Sequence, residues 1–235
     1  MRSDCRFRAV GLVLLVAGLL AAAVDATGLW GLPLVGAVAL IAWLPVRRGL
    51  QARRTVAQTV DSLARATELA GYTLPGHARR VCATAHAVGR ELGLRGPALR
   101  TLEQAALMHD VGQLSLVDPV PGGATALLSR EERRRIARLG SEVVRQSGVA
   151  PEVAAVVAQL GEPAATDAAS GAAELPLATR ILRVVNDFDD LASDDPGPAR
   201  RAEVLAQLRR GARQGEYDPR VVAVLARVAE PASPR

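Results

Sequence analysis

The segment Leu107–Leu114, LMHDVGQL, places a histidine and an aspartate side by side at the end of an apolar helical run. Neutral imidazole and carboxylate groups are common ligands of divalent cations, and no cysteine lies near them in the sequence. This donor set favours iron, manganese or magnesium over a structural zinc ion. A cation held by His109 and Asp110 would polarise a phosphoryl oxygen. The pair alone leaves open a second interpretation, a buried and hydrogen-bonded core pair.

Helical periodicity brings another histidine towards the same place. The spacing of apolar residues predicts a helix over His77–Leu92, with His77 at the head of its buried stripe. The next predicted helix, Pro97–Asp110, has proline in its first turn and directs His109 inward at its end. Two inward histidines at adjoining helix ends, with Asp110 beside the second, form the candidate cation site.

Helical patterns continue through the rest of the chain. Gly112 fits a chain reversal after the His-Asp pair. Strand-type alternation is nearly absent, so the predicted fold class is an all-α helical bundle. The polar, patternless segment Glu162–Glu174 predicts a loop. Further helices are predicted from Ser129, which forms a capping box with Glu132, to Val144, and over Pro151–Leu160, Leu177–Leu191, Arg200–Gly211 and Pro219–Ala229.

Two apolar runs without a charge, residues 9–24 and 28–46, precede this bundle. Each is near the roughly 17 to 25 residues that cross a bilayer. Arginines flank both outer ends, so the positive-inside rule predicts a transmembrane hairpin over residues 1–46 with both termini cytoplasmic. We therefore expect a lipid-membrane partner and an inner-membrane location, with the helical domain in the cytoplasm. A cleaved signal peptide and a buried core hairpin are the alternatives.

The segment after the hairpin, residues 47–69, predicts an amphipathic connecting helix. A plain linker and a parallel dimeric coiled coil, which would make the protein a homodimer, both stay open. The helical domain is then expected over residues 70–229, with a short tail at 230–235.

The formal net charge of +5 raises a nucleic-acid interface as a function class. Every basic residue is arginine, several arginines flank the apolar runs, and two tyrosines and two phenylalanines offer few platforms for stacking bases. The arginines at 130 and 133–135 are expected to form a solvated helix face, with a nucleotide-binding patch as the alternative. His86 is expected to be a surface residue. We therefore expect no nucleic-acid partner. Cys5 and Cys82 are not expected to pair, which fits a reducing cytoplasm.

Five segments together resemble a known family, the HD-GYP domain of the HD superfamily of metal-dependent phosphohydrolases. The order and spacing of the segments match that family over about residues 68–225. Active members hydrolyse cyclic di-GMP, so the resemblance implies a helical fold and phosphodiester chemistry. The segments are GYTLPGHARRV (71–81), AALMHDVGQL (105–114), LSREE (128–132), ELPLATRILRVVNDFDDL (174–191) and YDPRVV (217–222).

The resemblance implies a ligand set for the candidate site. His77 matches the first metal-binding histidine of the family, and His109 with Asp110 matches its HD pair, which makes Asp110 the expected catalytic residue. Asn186 stands where the family has a late aspartate ligand, so its amide oxygen is the expected fourth ligand. Asp187 is an alternative, although a shift of one residue turns a helical side chain by about 100°.

Other family positions differ in this sequence. The lysine that helps to hold the phosphate is replaced by Gln113, the expected substrate-binding position, which is otherwise a polar residue at a helix end. A histidine expected in the following helix falls at Ile136, and paired histidines expected further on fall near Gln159 and Leu160. An alanine-rich loop around Thr166–Gly171 replaces the GYP segment.

These differences bear on the expected activity. A two-metal phosphodiesterase holds its cations roughly 3.5 to 4 Å apart, and without the middle histidines the second cation lacks its ligands. The sequence therefore predicts a degenerate, membrane-anchored signalling protein, with hydrolysis of cyclic di-GMP lost or much reduced, that acts by contact with an unknown protein partner. The alternative is a one-metal phosphohydrolase acting on a cyclic dinucleotide or another phosphodiester. Its cofactor would be iron, manganese or magnesium.

Overall fold

A computed structural model describes residues 31–120, 123–162, 175–192 and 197–229 of the chain, together with scattered positions between 17 and 28. The chain divides into two compact units, Met1–Thr55 and Val56–Arg235. The described residues contain helices and no β-strand, as the sequence predicts. The predicted loop and the tail lie largely outside these residues.

The helix bounds agree with the sequence patterns to within a few residues, because apolar spacing and capping signals are local. Two short 3₁₀ turns, Val111–Ser115 and Thr125–Leu127, connect the third and fourth helices. In the described part of the chain the helices are α1 (Gly31–Leu69), α2 (His77–Glu91), α3 (Gly96–Met108), α4 (Arg130–Gln146), α5 (Pro151–Ala158), α6 (Leu177–Ala192), α7 (Pro198–Arg213) and α8 (Pro219–Ala229).

Helix α6 lies at the centre of the second unit. It packs against α2, α3, α5, α7 and α8. Its side chains are buried on most faces, and Ile181, Leu182 and Val185 have no exposed surface. A helix that is buried nearly all round belongs in the core, so its polar residues must find partners there. Those polar residues contribute to the site described below.

Helix α1 differs from its prediction. A span at 28–46 and a separate connecting helix from residue 47 are expected from the sequence, but the structure has one helix over Gly31–Leu69 with Pro45 inside it. The first predicted span, 9–24, falls almost entirely outside the described residues. Among the described residues, no helix has the length and apolar character needed to cross a membrane. The transmembrane hairpin stays a prediction.

The start of α4 is fixed by the predicted capping box. The Ser129 hydroxyl accepts a hydrogen bond from the Glu132 backbone N–H at 3.2 Å, and the Ser129 backbone N–H donates to Glu132 Oε2 at 3.1 Å. This pair satisfies two backbone donors that the first helical turn leaves without partners. The capping box therefore defines where Ile136 and Gly140 fall along the helix.

Gly112 is needed for a different reason from the one its sequence position indicates. It is not among the glycines with a positive φ, so no left-handed reversal requires it. A Cβ atom at this position would lie 2.1 Å from the Ile136 carbonyl oxygen and 2.8 Å from the Gly140 nitrogen. Glycine therefore allows the turn after the His-Asp pair to lie directly against the α4 backbone.

Candidate metal centre

Three elements bring the candidate ligands together. His77 is the first residue of α2 and follows Gly76, whose φ of 75° places the chain in the left-handed region. His109 and Asp110 directly follow the end of α3, and Asn186 lies within α6. All four side chains are buried. The inward direction predicted for both histidines is confirmed.

The ligand atoms of these residues converge. The Nε2 atoms of His77 and His109 lie 3.2 Å apart, and Asp110 Oδ2 lies 3.1 Å from each of them. Asn186 Oδ1 lies 2.6 Å from His109 Nε2. One ligand atom each of His77, His109 and Asp110 lies within 4.8 Å of the other two, close enough for all three to bind one cation. The residues expected as ligands thus share one point in space.

Partners outside the cluster orient both imidazole rings. His77 Nδ1 donates to Asp189 Oδ2 at 2.8 Å, and His109 Nδ1 donates to the Ala106 carbonyl oxygen at 2.8 Å. These partners keep a proton on Nδ1 of each ring and turn each Nε2 atom towards the cluster centre, where it can bind a cation once deprotonated. Asp189 is itself held by two hydrogen bonds from Arg80, at 3.0 and 2.8 Å. Metal-binding histidines commonly have such outer partners.

Asp110 is oriented in the same way by Gln113. The Gln113 amide donates to Asp110 Oδ1 at 2.8 Å and lies 3.5 Å from the Gly123 carbonyl oxygen. Gln113 is fully buried, so in this structure it positions the aspartate. Its role in substrate binding stays a prediction.

The second carboxylate oxygen of Asp110, Oδ2, indicates whether a cation would fit among these residues. Asp110 Oδ2 is buried and accepts no hydrogen bond within the described part of the chain. Once both Nε2 atoms release their protons, their two lone pairs and this oxygen face one another. A divalent cation would satisfy all three, so the residues fit such an ion.

The carboxylates around the cluster also favour a positive charge at its centre. Burial lowers the pKa of His77, but the neighbouring carboxylates of Asp110 and Asp189 outweigh burial and raise this pKa to about 10. Burial likewise opposes the shift at His109, whose pKa is nonetheless raised by the charge of Asp110. The pKa of Asp110 is lowered because the two histidines outweigh its burial. The concentration of negative charge that favours imidazolium also favours a metal cation.

Asp190 is a member of the site that sequence reasoning missed. Its Oδ1 lies 3.8 Å from His77 Nε2, and its Oδ2 accepts hydrogen bonds from the Ala126 N–H at 3.1 Å and the Thr125 hydroxyl at 3.3 Å. Burial raises the pKa of Asp190 to about 7. The available signal was its position four residues after Asn186, which places both residues on one helix face.

Asp187, the alternative ligand considered from the sequence, is engaged elsewhere. Its Oδ2 accepts a hydrogen bond from the Tyr217 hydroxyl at 2.8 Å, and it is not part of the metal-binding cluster. The turn of about 100° between neighbouring helical residues accounts for this difference.

A small cavity of about 40 Å³ adjoins the cluster. Ile136 and Leu160, which stand at or near expected histidine positions, both line it, whereas Gln159 accepts a hydrogen bond from the Thr179 hydroxyl at 3.3 Å. Of the four arginines expected on a solvated face, those at 130, 134 and 135 are exposed, but Arg133 is half-buried and lines the cavity. The other lining residues are His109, Asp110, Thr125, Ala137, Arg183, Asn186 and Asp187.

Comparisons with known proteins identify the family and agree with the fold. The family profile described as "HD domain" matches residues 61–221. Among solved structures, the chain is similar to the crystal structure of the HD domain of the L. monocytogenes phosphodiesterase PgpH. The two share 14% sequence identity and a TM-score of 0.50, over 71% of this chain and 94% of that chain, and at this identity the likeness shows the fold alone. No curated protein matches the chain at a significant level.

Proposed function

The chain belongs to the HD-domain family, and from this premise we propose that it is an HD-GYP-like phosphohydrolase that uses one divalent cation. Its substrate class is a phosphodiester such as a cyclic dinucleotide, with hydrolysis of cyclic di-GMP much reduced relative to two-metal enzymes. The observation that carries the proposal is the convergence of His77 Nε2, His109 Nε2 and Asp110 Oδ2 within 3.2 Å of one another.

The residues of the chain supply the orientation that such chemistry needs. Asp189 and the Ala106 carbonyl keep the two Nε2 lone pairs directed inward, and Gln113 keeps Asp110 Oδ2 directed to the same point. A divalent cation bound there would supply Lewis-acid polarisation of a phosphoryl oxygen and of water. Because the donors are nitrogen and oxygen atoms, iron, manganese and magnesium are the cations to test.

The reduced activity follows from the residues at the positions of the missing ligands. Ile136 and Leu160 contribute only hydrocarbon to the cavity beside the cluster. A second cation there would lose its hydration without gaining the imidazole ligands that these positions supply in the family, which is unfavourable. One cation stabilises fewer of the developing charges than two cations in line.

A second candidate function is signalling without catalysis. The distance of 2.6 Å between Asn186 Oδ1 and His109 Nε2 suits a hydrogen bond from a protonated imidazole, which would close the cluster without a metal. In that case the domain would act by contact, as a homodimer or with another protein. Under either function we propose that the apolar runs at 9–24 and 28–46 tether the domain to the inner membrane, which their lack of charge supports.

The two functions are separated by metal content and turnover. The full chain would be purified in detergent, loaded with manganese, iron or magnesium, and assayed for bound metal and for hydrolysis of cyclic di-GMP and bis(p-nitrophenyl) phosphate. We expect about one cation per chain and slow turnover, both lost in Asp110→Asn. Asp118→Asn is the matched control because Asp118 is exposed. A metal-free, inert wild-type protein would contradict the first function and leave the second in place, and two cations per chain would also contradict the first.

A further inference from the structure

The cavity beside the metal cluster contains two arginines as well as ligands. Arg133 and Arg183 line the same cavity as His109, Asp110 and Asn186. Arg183 lies three residues before Asn186 on α6, and Arg133 lies three residues before Ile136 on α4. This spacing puts each arginine one helical turn from a residue of the site.

Both guanidinium groups are withdrawn from solvent and incompletely paired. The Arg183 side chain is 4% exposed and the Arg133 side chain 16%. The Nε atom of each has no hydrogen-bond partner among the described residues. Arg183 Nη1 donates to the Glu162 carbonyl oxygen, which leaves much of its donor capacity unused.

The carboxylates near the two arginines lie too far away to satisfy them. Arg183 Nη2 is 3.5 Å from Glu216 Oε1, and Arg133 is 3.9 Å from both Glu216 Oε1 and Asp187 Oδ2. Hydrogen bonds between charged groups have distances of about 2.7 to 2.9 Å. Asp187 instead accepts a hydrogen bond from the Tyr217 hydroxyl at 2.8 Å. The arginines therefore keep donors for another acceptor.

We propose that Arg133 and Arg183 form an anion subsite that holds a phosphoryl group of the substrate beside the cation. Guanidinium forks match the oxygen geometry of phosphate. The cavity of about 40 Å³ has room for a group of only a few non-hydrogen atoms, which suits a single phosphoryl group.

This subsite deepens the proposed function, on which it rests. It supplies positive charge next to the cluster, where the neutral, buried Gln113 stands in place of the family's lysine and Ile136 and Leu160 stand at or near expected histidine positions. The arginines would bind a phosphodiester through its charge before any bond is broken. They are substrate-binding residues that need no metal to attract an oxyanion.

The test uses inorganic phosphate as the probe and the full chain in detergent. Phosphate binding would be measured by isothermal titration calorimetry on metal-free protein prepared with EDTA and on magnesium-loaded protein. Arg183→Met and Arg133→Met remove one guanidinium each, and Arg135→Met on the same helix is the control because Arg135 is exposed. Circular dichroism melts and bound magnesium would be recorded for every variant.

We expect wild-type protein to bind phosphate even without metal, and each cavity variant to weaken this binding about tenfold or more, since charge-assisted hydrogen bonds are lost. Bound magnesium should stay at the wild-type level, and the Michaelis constant for bis(p-nitrophenyl) phosphate should rise more than the turnover number falls. If Arg183→Met does not fold, Arg133→Met and Arg183→Lys decide the result. The lysine variant should bind phosphate more weakly than wild type because it lacks the fork.

The outcomes separate this inference from the proposed function. The anion subsite is overturned if Arg133→Met keeps a phosphate affinity within twofold of wild type. It is also overturned if Arg135→Met loses as much phosphate affinity as the cavity variants. Either result counts even if metal binding and turnover are present. Arginine-dependent phosphate binding in a protein that takes up no metal overturns the phosphohydrolase function and keeps the subsite. Absence of phosphate binding in both wild-type preparations contradicts the subsite.

Discussion

Asn186 and Asp190 lie one turn apart on α6 and are joined by a hydrogen bond of 3.3 Å from the Asn186 amide to Asp190 Oδ2. Asn186 directs its amide oxygen to His109, while the second oxygen of Asp190 lies 3.8 Å from His77 Nε2. The chain thus lacks a carboxylate at position 186 but presents one a turn later. The pair closes the side of the cluster formed by α6.

Asp190 should therefore contribute to cation affinity. Asp190→Asn removes a negative charge beside the cluster at nearly constant volume, and we expect the dissociation constant for manganese to rise about tenfold. Calorimetric titration of the EDTA-treated full chain with manganese measures this change. Asp118→Asn should bind manganese like wild type. Unchanged affinity in Asp190→Asn would mean that this residue only anchors the turn at Thr125 and Ala126.

Asp189 should act on the same affinity without being a ligand. It accepts a hydrogen bond from His77 Nδ1 and is held by Arg80, so it fixes the ring and makes the Nε2 lone pair a better metal ligand. Asp189→Asn should weaken manganese binding about tenfold while the number of sites per chain stays the same. Arg80→Met should have a smaller effect in the same direction. A change in stoichiometry would show that Asp189 binds the metal directly.

Much of the fold could be predicted because its signals are local. The buried stripe of α2, the proline at the start of α3 and the capping box at Ser129 each depend on residues within one or two helical turns. The pair His109 and Asp110 could be placed at a helix end for the same reason. In the structure both residues directly follow Met108, the last residue of α3.

The parts that the sequence did not reveal depend on contacts between distant elements. Asp190 becomes relevant only when α6 is known to present that face to His77. Arg133 lies among exposed arginines, and its partial burial follows from how α4 is rotated against the cluster. The sequence shows that position 112 has no side chain. It does not show whether a positive φ or the close approach of another backbone segment is the reason.

Cation binding should strengthen as pH rises. Burial lowers the pKa of His77, but the neighbouring carboxylates of Asp110 and Asp189 raise it to about 10, above its ordinary value of 6.5. At neutral pH the metal-free imidazole therefore carries a proton that a cation must displace. We expect manganese affinity to increase about tenfold per pH unit for each proton released, up to about pH 10.

The stability of the metal-free protein should change with pH in the opposite direction. A raised pKa means that the native state binds the proton more tightly than the unfolded state. His77 thus contributes stability that is fully present below pH 6.5 and is lost as pH rises through about 10. The difference in melting temperature between metal-loaded and metal-free protein should therefore widen from pH 6.5 to pH 9. A constant difference over this range would contradict the assigned protonation of the cluster.

The close contact between Gly112 and α4 should be needed for both the stability of the protein and its metal binding. A Cβ atom at position 112 would lie 2.1 Å from the Ile136 carbonyl oxygen, and backbone atoms cannot move aside as a flexible side chain can. We expect Gly112→Ala to lower the free energy of unfolding by about 1 to 3 kcal/mol, because α4 must shift away from the turn. Since Asp110 lies two residues before Gly112, manganese affinity should fall as well.

Two other glycines provide a graded comparison for Gly112→Ala in thermal and urea unfolding of metal-free protein. At Gly140 the nearest atom to an added Cβ is 3.1 Å away, so Gly140→Ala should cost less stability. Gly49 lies in α1 with nothing within 4 Å, and alanine there should leave stability unchanged or raise it, since alanine favours helix. Wild-type stability in Gly112→Ala would show that the turn and α4 are not packed as closely as the structure has them, and the orientation of Asp110 would then need another explanation.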